Sequence, residues 1–261
     1  MRKMTLLIGA VAVCAAVNAF AAAPLREQNE GLFAQIQRVH QLSDEQMTAL
    51  KELFNRSGYI GQGNPAVTQH PATPEECEAK LATQGISHEN ERFQAICGDR
   101  YMAPLYDPAK QQPEEARTCI DQFEFPNIPC SYPVVWVRAR EAAQICAVQG
   151  KRLCDAHEWE GACAGCLQDP GYRFDLAVDK TAAAGVASMR AAHNRSYAPT
   201  KAWAYGSTYQ KGICATGSAK TPGCDGGGWD KCGSNTYPTG MFPGCRSELG
   251  VYDLHGNAAE H

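Results

Sequence analysis

Lys151-Arg-Leu-Cys-Asp-Ala-His-Glu-Trp-Glu160, continued by Gly161-Ala-Cys163, is the stretch from which the chain is best read. Asp155 with Glu158 three residues on is a capping box, which predicts a helix with Trp159 and Ala162 on its core side. Upstream, Arg138 to Val148 repeats apolar residues at helical spacing (Ala142, Ile145, Cys146), and Gly150 supplies a stop. Before that, Pro133-Val-Val-Trp-Val137 is β-branched and aromatic and predicts a strand. Downstream, from Gly165 to Leu249, Gly, Pro, Ser, Thr, Trp and Tyr dominate, and only the alanine-rich Thr181–Ala192 predicts a further helix. So long a stretch without regular structure needs cross-links to stay compact, and Cys214, Cys224, Cys232 and Cys245 offer them. The expected class is α+β: irregular, loop-rich, with small antiparallel sheets.

The other half of the chain reads as helix and leader. Arg2 and Lys3 precede the apolar run Met4–Val17, and Ala19-Phe20-Ala21-Ala22-Ala23 follows it. This is the pattern of a secretory signal peptide over residues 1–21, cleaved after Ala21. The run is shorter than the roughly 20 residues a span needs, so no membrane span is expected once the signal is removed. The expected location is periplasmic or extracellular. Residues 22–112 read as a helical N-terminal extension. Ser43-Asp44-Glu45-Gln46 caps a helix over Asp44–Arg56 that Gly58 stops. Shorter helices are expected over Pro74–Thr83 and His88–Cys97, with Cys77 and Cys97 as a staple between them.

Composition narrows the function. Of 261 residues, 24 are basic and 28 acidic, a net charge of −4, so no basic field exists to hold nucleic acid. Removing Arg2 and Lys3 with the signal leaves 22 − 28 = −6. It also removes Cys14 from the 13 cysteines; the remaining twelve face an oxidising compartment and allow up to six disulfides. Cys163-Ala-Gly-Cys166 closes a helix before a loop, whereas thioredoxin-like pairs open one. It is therefore expected to be structural and disulfide-bonded.

Gly250-Val-Tyr-Asp-Leu-His-Gly-Asn-Ala-Ala-Glu260 carries chemistry of its own. Two carboxylates seven residues apart flank Gly256 and Asn257, a bent stretch able to present backbone carbonyls. Hard oxygen donors of this kind are what Ca²⁺ prefers. Three ordered motifs then resemble one family, that of the formylglycine-generating enzymes. Arg152–Glu160 is similar to its R-L-P-T-E-A-E-W-E signature, and Gly250–Glu260 to its G-L-Y-D-M-x-G-N-V-W-E. Asn235-Thr-Tyr-Pro-Thr-Gly-Met-Phe-Pro243 is similar to the P-V-G-x-x-P run between them. Glu124-Phe-Pro-Asn127 and Tyr132–Trp136 resemble the first strands of a cysteine-rich secreted branch.

The resemblance covers residues 113–261 and implies a C-type-lectin-like fold. It implies a structural calcium held by the side chains of Asp253 and Glu260 and the carbonyls of Gly256 and Ala258. A second calcium would use Asn194 with Asp225 or Asp230. It further implies a copper-binding cysteine pair downstream of His261, so the domain is read as incomplete at its C-terminus and no catalytic residue is assigned. Iron-type chemistry is disfavoured, because His40, His70 and His88 show no H-x₃-H spacing. Two functions follow. One is an exported metal-dependent oxidoreductase acting on a cysteine or thiol of a protein or peptide substrate. The other is a non-catalytic, calcium-stabilised module that binds protein or glycan at the cell envelope.

Overall fold

The computed structural model describes residues 11–168, 171–197, 203–216 and 228–260. Residues 1–10 of the expected signal, Cys224 and Asp225 lie outside that set. Four helices lead: α1 (Val11–His40), α2 (Asp44–Ser57), α3 (Pro74–Thr83) and α4 (Glu91–Cys97). An antiparallel pair follows, β1 (Met102–Leu105) and β2 (Thr118–Asp121), then α5 (Ala139–Val148), α6 (Ala156–Ala164) and α7 (Ala182–Tyr197). The other described residues are turn and loop apart from two short 3-10 turns, Pro113–Glu115 and Phe174–Ala177. No helix among the described residues is long and apolar enough to cross a membrane.

Capping explains most of the helix boundaries. The Gln46 amide N–H donates to Ser43 Oγ at 3.2 Å, and the Ser43 N–H donates back to Gln46 Oε1 at 2.9 Å, which satisfies two otherwise orphaned donors of α2. Asp155 and Glu158 do the same for α6 at 2.8 and 2.9 Å. Pro74 opens α3, where its missing N–H costs nothing.

Two apolar clusters organise the packing. The first joins Leu32, Phe33 and Ile36 of α1 to Leu50, Leu53 and Phe54 of α2, and adds Ile60, Ile128 and Ile145. The N-terminal helices therefore share a core with the later residues. The second gathers Ala103 and Leu105 of β1, Ala162 of α6, and Leu249, Val251 and Leu254, with Trp159 packed against it. It brings the capped helix and the Gly250–Glu260 stretch to one place.

The predicted strand at Pro133–Val137 does not form. Its amides are spent on separate loops: Val134 N–H donates to Phe125 O at 2.7 Å and Val135 N–H to Gly61 O at 2.8 Å, leaving one isolated bridge. Trp136 sits at φ 61°, outside any strand conformation. The sheet comes instead from β1 and β2, where Met102 faces Asp121 and Leu105 faces Thr118.

Disulfides join Cys77 to Cys130, Cys97 to Cys119 and Cys214 to Cys245, and Cys232 is disulfide-bonded as well. The expected Cys77–Cys97 staple is thus replaced by two longer-range bridges. Cys163 and Cys166 are free thiols, with Cys146 and Cys154, so the expected disulfide there is absent. The two sulfurs face different partners: Cys163 Sγ lies 3.4 Å from His255 Nε2, and Cys166 donates to Asp107 Oδ1 at 3.2 Å.

His88 is buried in an aromatic cage. Its ring meets Phe123 and Tyr252 edge-on, at centroid distances of 5.0 and 4.7 Å, and neither ring nitrogen has a hydrogen-bond partner among the described residues. Burial, and then the charge of Arg246, bring its pKa from 6.5 down to about 4. The unfolded state therefore binds the extra proton between those values, and this residue's contribution is intact above pH 6.5 and is lost as pH falls toward 4. His88→Phe forfeits no hydrogen bond. Its stability relative to wild type should rise as pH drops from 6.5 to 4.5, read from urea midpoints. An unchanged difference across that range would refute the assignment.

Candidate functional site

The Gly250–Glu260 stretch forms a tight turn held from every side. Tyr252 N–H donates to Gln122 O at 2.8 Å and Asp253 N–H to Cys245 O at 3.1 Å. Asp253, Gly256 and Asn257 adopt φ of 57°, 118° and 64°, so the backbone reverses through left-handed conformations. Only glycine fits at 256: a Cβ there would lie 2.5 Å from Ala215 O. Asn257 stitches the turn to a neighbouring loop, accepting from Tyr237 N–H at 2.7 Å and donating to Tyr237 O at 3.1 Å.

A residue quoted above only for a strand-like stretch, and not as a candidate for the site, completes the turn. Glu124 is 8% exposed. Its carboxylate accepts from Asn257 Nδ2 at 2.9 Å and from Ala258 N–H at 3.0 Å. Asp253 is 3% exposed, and its Oδ2 accepts from Gly240 N–H at 2.6 Å. Glu260, at the surface end, accepts a hydrogen bond from Trp159 Nε1 of α6. Trp159 therefore links the two signature stretches directly.

Asp253, Gly256, Ala258 and Glu260 all line one cavity of about 530 Å³, together with Cys154, Asp155 and Trp159. The structure thus brings together all four residues expected to ligate calcium. Burial, and then the charge of Asp253, raise the Glu124 pKa well above the carboxylate range. Burial is also the leading cause for Asp253 and Glu260, with the Glu260 charge adding to the rise at Asp253. Among the described residues no Lys or Arg pairs with any of the three. Nor do three or more His, Cys, Asp or Glu side chains converge into a metal cluster among those residues, so a cation here would depend on carbonyls as well as carboxylates. Asn194 stands exposed on α7, and Asp230 is exposed in the loop before Cys232.

Beside this site the conspicuous charges are structural. Arg152 grips Glu158 with two bonds, 2.7 and 2.6 Å, holding that carboxylate down to about 2. Lys151 Nζ bridges Asp121 Oδ1 at 2.8 Å and Asp99 Oδ2 at 3.2 Å, with His40 Nδ1 3.5 Å from Asp99. His255 is satisfied, its Nε2 accepting from Ala204 N–H at 2.8 Å. Burial raises the pKa of all four free thiols, that of Cys163 to about 11, so none is held as a thiolate.

Gly256→Ala tests the turn itself. The strained φ and the contact with a backbone oxygen should cost more than about 2 kcal/mol, read as a lowered unfolding midpoint. A neutral result would mean that the turn is not built as described.

A family model described as "Sulfatase-modifying factor enzyme 1-like domain" matches residues 66–261, well over half of the chain. No curated protein and no solved structure matches it.

Proposed function

The chain belongs to the sulfatase-modifying factor enzyme 1-like family, and from that premise we propose that it is an exported, calcium-stabilised binding module with a C-type-lectin-like fold. The observation that carries this reading is the shared cavity of Asp253, Gly256, Ala258 and Glu260. These are oxygen donors only, two anionic and two carbonyl, a set suited to a hard divalent cation and poorly suited to a soft one. Calcium would neutralise carboxylates that are desolvated and mutually repelling, and so hold the turn. Glu124 secures the turn from behind, Trp159 orients Glu260, and Gly256 allows the reversal. The partner class is protein or glycan at the cell envelope. Export is supported by the signal-like leader and by the disulfides.

The second reading is a metal-dependent oxidoreductase acting on a cysteine or thiol. It is favoured by the family and by Cys154, a free thiol that borders the same cavity. Turnover of a thiol peptide with copper and O₂ would select it over the module.

The calcium reading is tested by melting the protein in millimolar Ca²⁺ and then in chelator. Binding to the folded state alone stabilises it by about 2.7 kcal/mol at one hundred times the dissociation constant. Glu260→Gln should abolish most of that gain, whereas the exposed control Glu248→Gln should keep it. Identical midpoints for wild type in both conditions would sink the proposal.

Cysteine usage gives a separate check on export. Alkylation of denatured, unreduced protein from its native compartment should label Cys146, Cys154, Cys163 and Cys166 and leave Cys77, Cys97, Cys119, Cys130, Cys214 and Cys245 unlabelled. Labelling of the second group would place the chain in a reducing compartment.

A further inference from the structure

We propose that the outer edge of β2 is a strand-addition site, which takes up an extended peptide segment carrying an acidic residue. The first observation is the ladder itself. Gln122 N–H donates to Tyr101 O at 2.8 Å, so that pair is hydrogen-bonded. In an antiparallel pair, bonded and non-bonded positions alternate. By the register, Ala103 with Ile120 and Leu105 with Thr118 are then the bonded pairs. Cys119 and Asp121 consequently turn their N–H and C=O groups away from β1. Pro104, opposite Cys119, agrees with this phase, because it has no N–H to donate. Among the described residues, no other backbone group pairs with Cys119 or Asp121.

The second observation is where that edge lies. Residues Ala116 to Asp121 run continuously along a cavity of about 1020 Å³, at the upper end of the range for ligand sites. The same cavity is bordered by Val135, Val137 and Ala142, with Ile145 behind them. Unpaired strand edges in open solvent are usually blunted because they recruit other chains. This one is instead set in a recess that offers apolar surface for alternate side chains of an added strand, the arrangement of β-augmentation. A backbone is the one ligand whose donors and acceptors repeat at the spacing of Cys119 and Asp121.

The third observation concerns charge. Asp121 is paired with Lys151, which it shares with Asp99, whereas Arg117, exposed at the near end of the edge, has no acidic partner among the described residues. An acidic side chain of the incoming strand would pair with it. The occupant is therefore an extended, β-branched segment with a carboxylate near one end.

The probe is an acetylated eight-residue peptide of alternating valine and threonine headed by aspartate, added to the full chain. Amide exchange at Cys119 and Asp121 should slow on addition, and Ile120 should be unchanged because β1 already protects it. A copy N-methylated at alternate residues should bind about tenfold more weakly through lost backbone bonds. Arg117→Pro removes a further outward N–H of the edge, and Ala116 before it is already extended at ψ 135°, as a proline requires. It should weaken the peptide and leave the unfolding midpoint near that of Arg117→Ala. Equal affinity of the methylated copy, or no slowing at either amide, overturns the proposal. So does protection of both amides before any peptide is added, since the edge would then be paired within the chain.

Discussion

A buried carboxylate joining two distant parts of the chain holds the candidate site together. Glu124 lies just past β2, while Asn257 and Ala258 lie more than one hundred residues later, and two hydrogen bonds of 2.9 and 3.0 Å connect them. Burying a carboxylate is expensive unless its oxygens are satisfied. Once satisfied it is specific, because its two oxygens take the Asn257 amide and the Ala258 N–H at the same time, each of which has only one other acceptor, Tyr237 O and Gly256 O. The turn is tied to the chain just past β2 a second time, where Gln122 O accepts from Tyr252 N–H at 2.8 Å.

The covalent framework serves the same geometry. The Cys214–Cys245 disulfide closes a loop across 31 residues, and both of its ends touch the turn. Ala215 O, next to Cys214, accepts from Asn257 N–H at 3.1 Å, and Cys245 O accepts from Asp253 N–H at 3.1 Å. In a region with little apolar content, restricting the unfolded chain is an effective way to keep such loops in register. The second apolar cluster then fixes α6 against Leu249, Val251 and Leu254, which sets Trp159 beside Glu260.

What could be read from the sequence follows from how local each signal is. The helices α2, α5 and α6 announce themselves through a cap, a stop or apolar spacing a few residues apart, and they form where expected. The Pro133–Val137 run failed because β-branched composition says nothing about partners, and its amides found two separate loops. The β1–β2 pair went unseen because strands of four residues, one holding Pro104, show no alternation to detect. The four residues on the cavity wall were legible through a motif. Glu124 was not, since nothing near it in the chain says that its carboxylate will lie behind a turn far downstream. Disulfide pairing was equally closed to inspection: Cys77 took Cys130 and Cys97 took Cys119, choices made by tertiary packing.

The two acidic groupings in this molecule are solved in opposite ways, and the contrast is informative. Asp99 and Asp121 share Lys151, and although burial opposes it, His40 at 3.5 Å and the Lys151 charge bring Asp99 down to about 2. That pair of carboxylates is bridged by a cation that the chain itself supplies. Burial raises the proton affinity of Glu124, Asp253 and Glu260, and neighbouring carboxylate charge adds to the rise at Glu124 and Asp253, with hydrogen-bond donors but no cationic side chain among the described residues to offset it. Like charges gathered in a desolvated recess cost stability unless a proton or a cation joins them. The fold thus gives one acidic group a lysine of its own and leaves the other, beside the cavity that Asp253 and Glu260 line, to backbone and side-chain donors alone.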